Sequence, residues 1–429
     1  MQTLFTNVKV LDSTGALPFA AEVLVDGNRI SSVARGKGEL PRADARVIDG
    51  GGATLMSGLC DAHTHFSWID QPGLDAIGMM PVEEHVLESA LSARRYLDAG
   101  YTMCVGAAAA KPRLDVVIRN YINSGKLPGP RYLANGPEIA TIGGLGDLNP
   151  SHMAAYTFVE IINGPLEMRR TVRRLLKEGV DQIKLNLSGE NITAVPAECT
   201  PMAEDEICEA VNEARRRPGV RICAHARSAE SVKLCVKYGI EIIYHASFAD
   251  DEAIDMLAAA RDKHFVAPGV AWLYQTCHGA SKWGVTSDVA RGMGYFRELE
   301  TCIATVKKMK QRGIRILPGG DYGFAWTPHG TYAKDLQYFV ELFDFTPMEA
   351  ILSATALGGQ IMGRPNELGK VQKGFLADLI LVDGDPLVDI AILQDNQRIL
   401  AVMKDGVFHR ELANGARAPA GARSAGDAR

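Results

Sequence analysis

The eight cysteines include no Cys-x-x-Cys pair and sit mostly inside apolar runs, as reduced core residues do. This argues against a disulfide framework and against a cysteine-based zinc site. No apolar run approaches the roughly 18 residues that span a bilayer, and the opening Met1-Gln2-Thr3-Leu4 lacks the basic-then-apolar order of a secretory signal. The expectation is a cytoplasmic protein with no membrane partner. The formal net charge is −5 over 429 residues, without the basic stripe that nucleic-acid binding requires. With 47% hydrophobic and 23% charged residues, the composition also argues against a disordered, collagen-like or coiled-coil chain.

What is present is a change of grammar along the chain. Near the start, the apolar run Ala21-Glu22-Val23-Leu24-Val25, the turn Asp26-Gly27-Asn28 and Arg29-Ile30-Ser31-Ser32-Val33 predict an antiparallel hairpin. Leu379-Ile380-Leu381-Val382 and Ile399-Leu400-Ala401-Val402-Met403 show the same pattern near the other end. Neither group has enough strands to bury a core alone, so residues 1–55 and 366–410 are expected to form one composite β-sandwich domain. Between them, over 56–365, eight strand-like runs alternate with amphipathic helical segments: 58–63, 102–106, 131–134, 182–187, 220–225, 241–245, 264–268 and 314–321. In the helical segment that starts at Glu206, for example, Ile207, Ala210, Val211 and Ala214 share one face. This predicts an α/β fold of the (β/α)8 TIM-barrel type, with an open doubly wound sheet as the alternative. The stretch 411–429 is nearly all Ala, Gly, Arg and Pro, and is expected to be a disordered tail.

Six potential metal ligands fall at the C-terminal ends of these runs, where barrel enzymes place their active sites. His63 and His65 lie two residues apart on a strand and so face the same side. His225 and His245 each end an apolar run, and Asp321 closes the eighth after two glycines. Lys184, flanked by Ile183 and Leu185, is a charge that must be paired or neutralised; one route is reaction with CO2 to an anionic carbamate, N6-carboxylysine. Singly, each has a bland explanation: a hydrogen-bonded core histidine, a snorkelling lysine, a helix-capping aspartate. Together they form a nitrogen-and-oxygen set suited to two divalent ions, Zn²⁺ first, with Mn²⁺, Co²⁺ or Ni²⁺ as alternatives. Two such cations would lower the pKa of a bridging water and polarise a carbonyl, while Asp321 takes the proton and delivers it to a leaving nitrogen. Of the ten histidines, four are in this set.

Asp61-Ala62-His63-Thr64-His65, Lys184, His225, His245 and Gly320-Asp321 together resemble the amidohydrolase superfamily, in its binuclear, carboxylated-lysine subtype. The resemblance covers nearly the whole chain, including Gly374-Phe375-Leu376-Ala377-Asp378-Leu379. It implies that His63, His65 and Asp321 bind the more buried metal, that His225 and His245 bind the other, and that Lys184 bridges them. Asp321 and His245 are the expected catalytic residues. Gly125 to Arg131, Pro328-His329-Gly330-Thr331 and Pro347-Met348-Glu349-Ala350 are similar to the imidazolonepropionase-like and prolidase-like branch. That branch includes dipeptidases, ochratoxin-type amidases and phenylurea or carbamate hydrolases. Two departures separate this chain from the dipeptidases. It has Gly143-Gly144-Leu145-Gly146 where they carry Gly-Gly-His-Gly, and His225-Ala226-Arg227 where they carry His-Ala-Tyr.

With Leu145 in place of an imidazole, the group that assists at the carbonyl is sought among Tyr244, Tyr322, His278 and His329. Arg227 is a candidate clamp for a substrate carboxylate, or else a structural partner of a nearby acid. Trp68 and Trp326, with Trp272, Tyr274, Trp283 and Phe324, suggest a pocket for an aryl or apolar group, or an interface of a homo-oligomer. The expected function is hydrolysis of a C–N bond in a small-molecule amide, urea or carbamate. The alternatives are a Xaa-Pro-type dipeptidase or ochratoxin-type carboxypeptidase, a cyclic-amide hydrolase or deaminase, and a metal-stabilised barrel that only binds a ligand.

Overall fold

The structure, a computed structural model, describes residues 2–153, 157–193 and 195–412. The expected disordered tail falls outside the described residues from 413 onward. The described residues divide into two compact units, one of residues 2–60, 96–103 and 345–412, the other drawn from 61–95 and 104–344. Its strands are β1 (Gln2–Leu11), β2 (Phe19–Asp26), β3 (Arg29–Arg35), β4 (Ala45–Asp49) and β5 (Thr54–Ser57). Then come β6 (Leu59–Thr64), β7 (Tyr101–Gly106), β8 (Arg131–Leu133), β9 (Glu138–Thr141) and β10 (Val159–Ile162). They are followed by β11 (Gln182–Asn186), β12 (Arg221–Ala226), β13 (Ile242–His245) and β14 (Phe265–Ala267). The last are β15 (Leu379–Val382), β16 (Ile399–Lys404) and β17 (Val407–Arg410).

In the first unit, eight strands form one sheet in the order β17-β16-β15-β5-β1-β2-β3, with β4 pairing β1. The two chain ends meet where β15 runs antiparallel to β5, Leu381 opposite Leu55. The hairpin turn lies where Asp-Gly-Asn predicts it, with Asp26 paired to Arg29 and Gly27 at φ 58°. Alternate residues such as Val23 and Val25, or Leu379 and Leu381, enter one apolar cluster with Leu55 and Met403. Burying each such side chain contributes about 1.5–3 kcal/mol.

The remaining strands pair in parallel in the order β10-β9-β11-β12-β13-β14, beside a second sheet β6-β7-β8. Helix Glu204–Arg215 packs inward with Ile207, Ala210, Val211 and Ala214, the face read from the sequence. Two excursions, β9 and β10, follow β8 and were not foreseen; no alternating pattern of useful length marks either. The eighth run differs as well. Over 314–321 no strand forms among the described residues, only an isolated bridge from Ile316 to Val266. Pro318 has no N–H to extend a ladder, and Gly319 N–H donates to Asp335 Oδ2 at 2.7 Å rather than to a strand. Backbone bonds nonetheless run from Leu317 N–H to Val266 O at 2.9 Å and from Ala62 N–H to Pro318 O at 3.0 Å. The N–H groups of Asp181 and Gln182 both reach Ala134 O, at 2.8 and 3.2 Å.

Candidate metal centre

The six ligand candidates line one cavity. His63 and His65 come from β6, Lys184 from β11, His225 from β12, His245 from β13, and Asp321 from the turn after Gly320. His65 Nε2 lies 3.3 Å and His63 Nε2 3.8 Å from Asp321 Oδ1. One ligand atom from each of His63, His65 and Asp321 lies within 4.8 Å of the other two. The ring centroid of His245 lies 5.1 Å from that of His63 and 4.5 Å from that of His225. The backbone reaches this arrangement at a cost. His245 and Asp321 have φ of 73° and 60°, a left-handed region that costs a non-glycine residue about 1–3 kcal/mol. Gly319 is required by close approach, since a Cβ there would lie 2.8 Å from both the Cβ and the backbone N of His63.

Hydrogen bonds fix which nitrogen each ring offers. His65 Nδ1–H donates to Ala108 O at 3.1 Å, and His225 Nε2–H to Gly189 O at 2.9 Å, leaving the other nitrogen of each ring as a lone-pair donor. The Nδ1 atoms of His63 and His245 are buried with no hydrogen-bond partner among the described residues. Burial pulls His63, His225 and His245 well below the ordinary histidine value, and the charges of Lys184 and Arg227 add to this for His225 and His245. Burial thus favours the neutral form of these three rings. Burial would raise the Asp321 carboxyl, but His63, His65 and Lys184 outweigh it and hold the group below the usual carboxylate range. Imidazoles converging on a carboxylate, two of them anchored to backbone carbonyls, are a donor set that fits a divalent cation.

Lys184 is 2% exposed, and its Nζ lies 3.7 Å from Glu138 Oε2 and 4.7 Å from the Tyr244 ring centroid. Glu138 and Glu190 line the cavity and were missed from sequence, as was the lining residue Ile192. The available signals were a carboxylate inside the apolar run Glu138-Ile139-Ala140 and one directly after the fourth strand, in Ser188-Gly189-Glu190. Leu145, Phe158, Trp272 and Phe324 complete an apolar rim with Trp68.

Of the substrate-binding candidates, Trp68 alone lines this cavity. Arg227 is 1% exposed and paired with both Glu190 and Glu298, so its guanidinium is not available to a substrate carboxylate. Burial pushes the Glu190 carboxyl up to about 7 against the pull of Arg227, and the like charge of Glu298 adds to the rise. Tyr244 is fully buried with its ring stacked 4.0 Å from His63, which makes it a support for that imidazole. Tyr322 donates its hydroxyl to Tyr332 O at 3.0 Å. His329 Nε2–H donates to Trp68 O at 2.7 Å, holding the loop that carries Trp68. Trp326 Nε1–H donates to Thr276 Oγ1 at 3.0 Å, and Trp326 borders a different cavity, with Gln275 and Lys334. His278, at the end of helix Val270–His278, is exposed and packs on Tyr274 and Phe296.

Known proteins match this architecture. The Amidohydrolase family model matches residues 54–408. Ochratoxinase of Aspergillus niger is 24% identical over 379 residues, covering 82% of this chain and 75% of that protein. Imidazolonepropionase of Rubrobacter xylanophilus is 23% identical over 406 residues, covering 90% of each. The crystal structure of a Xaa-Pro dipeptidase with bound methionine in the active site superposes with a TM-score of 0.84 at 27% identity, covering 96% of this chain and all of that one.

Proposed function

We propose, since the chain belongs to the amidohydrolase family and is a hydrolase of carbon–nitrogen bonds, that it cleaves an amide, urea or carbamate bearing an aryl or other apolar group. The observation that carries the reading is the convergence of His63, His65 and Asp321 in a cavity also lined by Lys184, His225 and His245. In this reading His63, His65 and Asp321 would hold one divalent cation and His225 and His245 a second, with Lys184, as a carbamate, serving as a further ligand. When bound, the ions, Zn²⁺ by preference, supply Lewis acidity toward a carbonyl and lower the pKa of water. The backbone bonds from Leu317 to Val266 and from Ala62 to Pro318 support a barrel closed through the extended eighth run, although that run forms no strand.

The chain's own residues do the rest. Asp321, held below the usual carboxylate range, accepts the proton of the attacking water and delivers it to the leaving nitrogen. Trp68, Phe158, Trp272 and Phe324 bind the apolar part of the substrate and exclude bulk water. A carboxypeptidase reading loses the residue on which it rested, because Arg227 is engaged by two glutamates.

The test is a screen of metal-loaded protein against anilides, phenylureas, carbamates, acyl-prolines and N-acyl aromatic amino acids. Anilides or carbamates are expected to be hydrolysed, with Asp321→Asn slower by about 10²–10⁴-fold. Equally poor turnover by wild type and variant across the panel overturns the reading.

A further inference from the structure

Among the described residues, Leu87 and Leu91 are the only exposed large apolar side chains that lie one turn apart on the same helix. They are 67% and 50% exposed on helix Val82–Asp98, whose opposite face is buried through His85, Ser89, Ser92 and Ala93. Two leucines four residues apart form one ridge, and half or more of each is left in water. The charges around the ridge are ordered. Glu83 and Glu84 stand four and three residues before Leu87, and Arg94 and Arg95 three and four residues after Leu91, all exposed. Acid in the first turn and base in the last also suit the helix dipole, which explains the ends but not the leucines between them. Glu83 and Glu84 have no ion-pair partner among the described residues, and Arg95, paired with Asp70 at 3.2 Å, keeps 45% of its side chain exposed.

This face is complementary to itself. When a second copy of the helix lies antiparallel to the first with Leu87 opposite Leu91, the same register puts Glu84 opposite Arg94 and Glu83 opposite Arg95, each pair occurring twice about a two-fold axis. A parallel pairing would instead set acid on acid and base on base. We propose that the outer face of helix Val82–Asp98 is the two-fold contact of a homodimer, the partner being a second copy of this chain. The leucines supply the apolar contact, and the charges select the antiparallel register. One helix of 17 residues, about 25 Å long, buries less than a standard-size interface, so the dimer is weak, with an expected Kd of about 10–100 µM. The pairing does not depend on which bond the enzyme cleaves.

Sedimentation equilibrium of the full-length protein, from about 1 to about 300 µM, reads the mass across the expected Kd. Wild type is expected to pass from monomer to dimer over this range. Leu87→Gln combined with Leu91→Gln, which keeps helix propensity, should weaken association by at least about tenfold with the urea midpoint unchanged. Glu84→Arg alone and Arg94→Glu alone should each weaken it as well, because each sets like charges opposite one another. Mixed in equal amounts, these two variants are expected to associate as tightly as wild type, every facing pair being again of opposite sign. Both changes in one chain should do the same. Recovery in the mixture but not in the double variant would mean a parallel contact, and overturns the register. A wild type that stays monomeric through the whole range, or single variants that associate like wild type, overturns the proposal; the leucines then face some other partner or none. Should the wild-type mass exceed that of a dimer, the leucine variant must still halve it, and an unchanged assembly counts against the contact.

Discussion

Two buried acid–base arrangements share the wall of the cavity and are built differently. Arg227 is clasped by Glu190 and Glu298, with Tyr295 and Asn191 completing the shell. Lys184 and Glu138 stand 3.7 Å apart with no hydrogen bond between them. The planar guanidinium has five donors in a fixed fork and can satisfy two carboxylates at once, so it closes its own environment. An ammonium is a compact point charge on a flexible stem, and its nitrogen is open to chemistry when it loses a proton. The first arrangement fixes the loop after β11, where Gly189 O accepts from His225, and offers nothing to a substrate. The second leaves two groups available. The contrast separates a cation enclosed by its partners from one left open, although Arg227 and Lys184 are both almost fully buried.

The largest break is Lys184→Ala. If this lysine bridges two ions, the variant is expected to fall from about two to about one equivalent of metal per chain, and hydrolysis to fall by at least about 100-fold. The midpoint of urea unfolding of the metal-free protein should also fall, because Glu138 is left buried without its ion-pair partner. Elemental analysis after growth with Zn²⁺ and bicarbonate checks the first part. Unchanged metal content would remove Lys184 from the ligand set.

Arg227→Met reverses the pattern. It leaves Glu190 and Glu298 buried without their shared cation, at a cost of about 3–5 kcal/mol, read as a shift in the urea midpoint at constant slope. Metal content should be kept where the variant remains folded. A shift below about 1 kcal/mol would show that the two carboxylates do not depend on Arg227, and would return the guanidinium to the list of substrate-facing groups. Arg227→Lys is expected to lie between, since an ammonium cannot serve both carboxylates with the same geometry.

The difference between the two arrangements also explains which parts of the site were legible in the sequence. His63 and His65 are legible because a strand's two-residue period puts both rings on one face. His225 and His245 are legible because each ends an apolar run. Asp321 is marked by the two glycines that let the chain pass His63. Glu138 and Glu190 sit in segments with no period, and their importance depends on partners 46 and 37 residues away, Lys184 and Arg227. The same holds for Trp326 and His329, whose side chains are turned from the cavity by Thr276 and Trp68. For the fold, strand identity followed from apolar runs, whereas the eighth run fails as a strand because Pro318 lacks a donor. A local pattern fixes which face a residue takes. It does not say which distant group will meet it.

Asp115 sharpens the comparison from a third side, with the smallest expected effect. This carboxylate is fully buried without an ion-pair partner among the described residues, and it keeps its proton instead. Burial pushes it up to about 7, against hydrogen bonds donated to Oδ2 by Tyr132 O–H at 2.5 Å and Asn135 N–H at 3.2 Å. Oδ1 has no partner among the described residues, so an amide can replace the acid with its oxygen facing the two donors. Between pH 4 and 7 the folded protein binds a proton here that the unfolded chain has released, so this group's contribution to stability falls as pH rises through that window. Asp115→Asn has no such proton to lose. Relative to the variant, wild-type stability should decline by about 1 kcal/mol per pH unit between pH 5 and 6, measured by urea unfolding at each pH. Parallel pH profiles for the two proteins would mean that Asp115 is ionised in the fold, and that a buried carboxylate in this chain can do without either a cation or a proton.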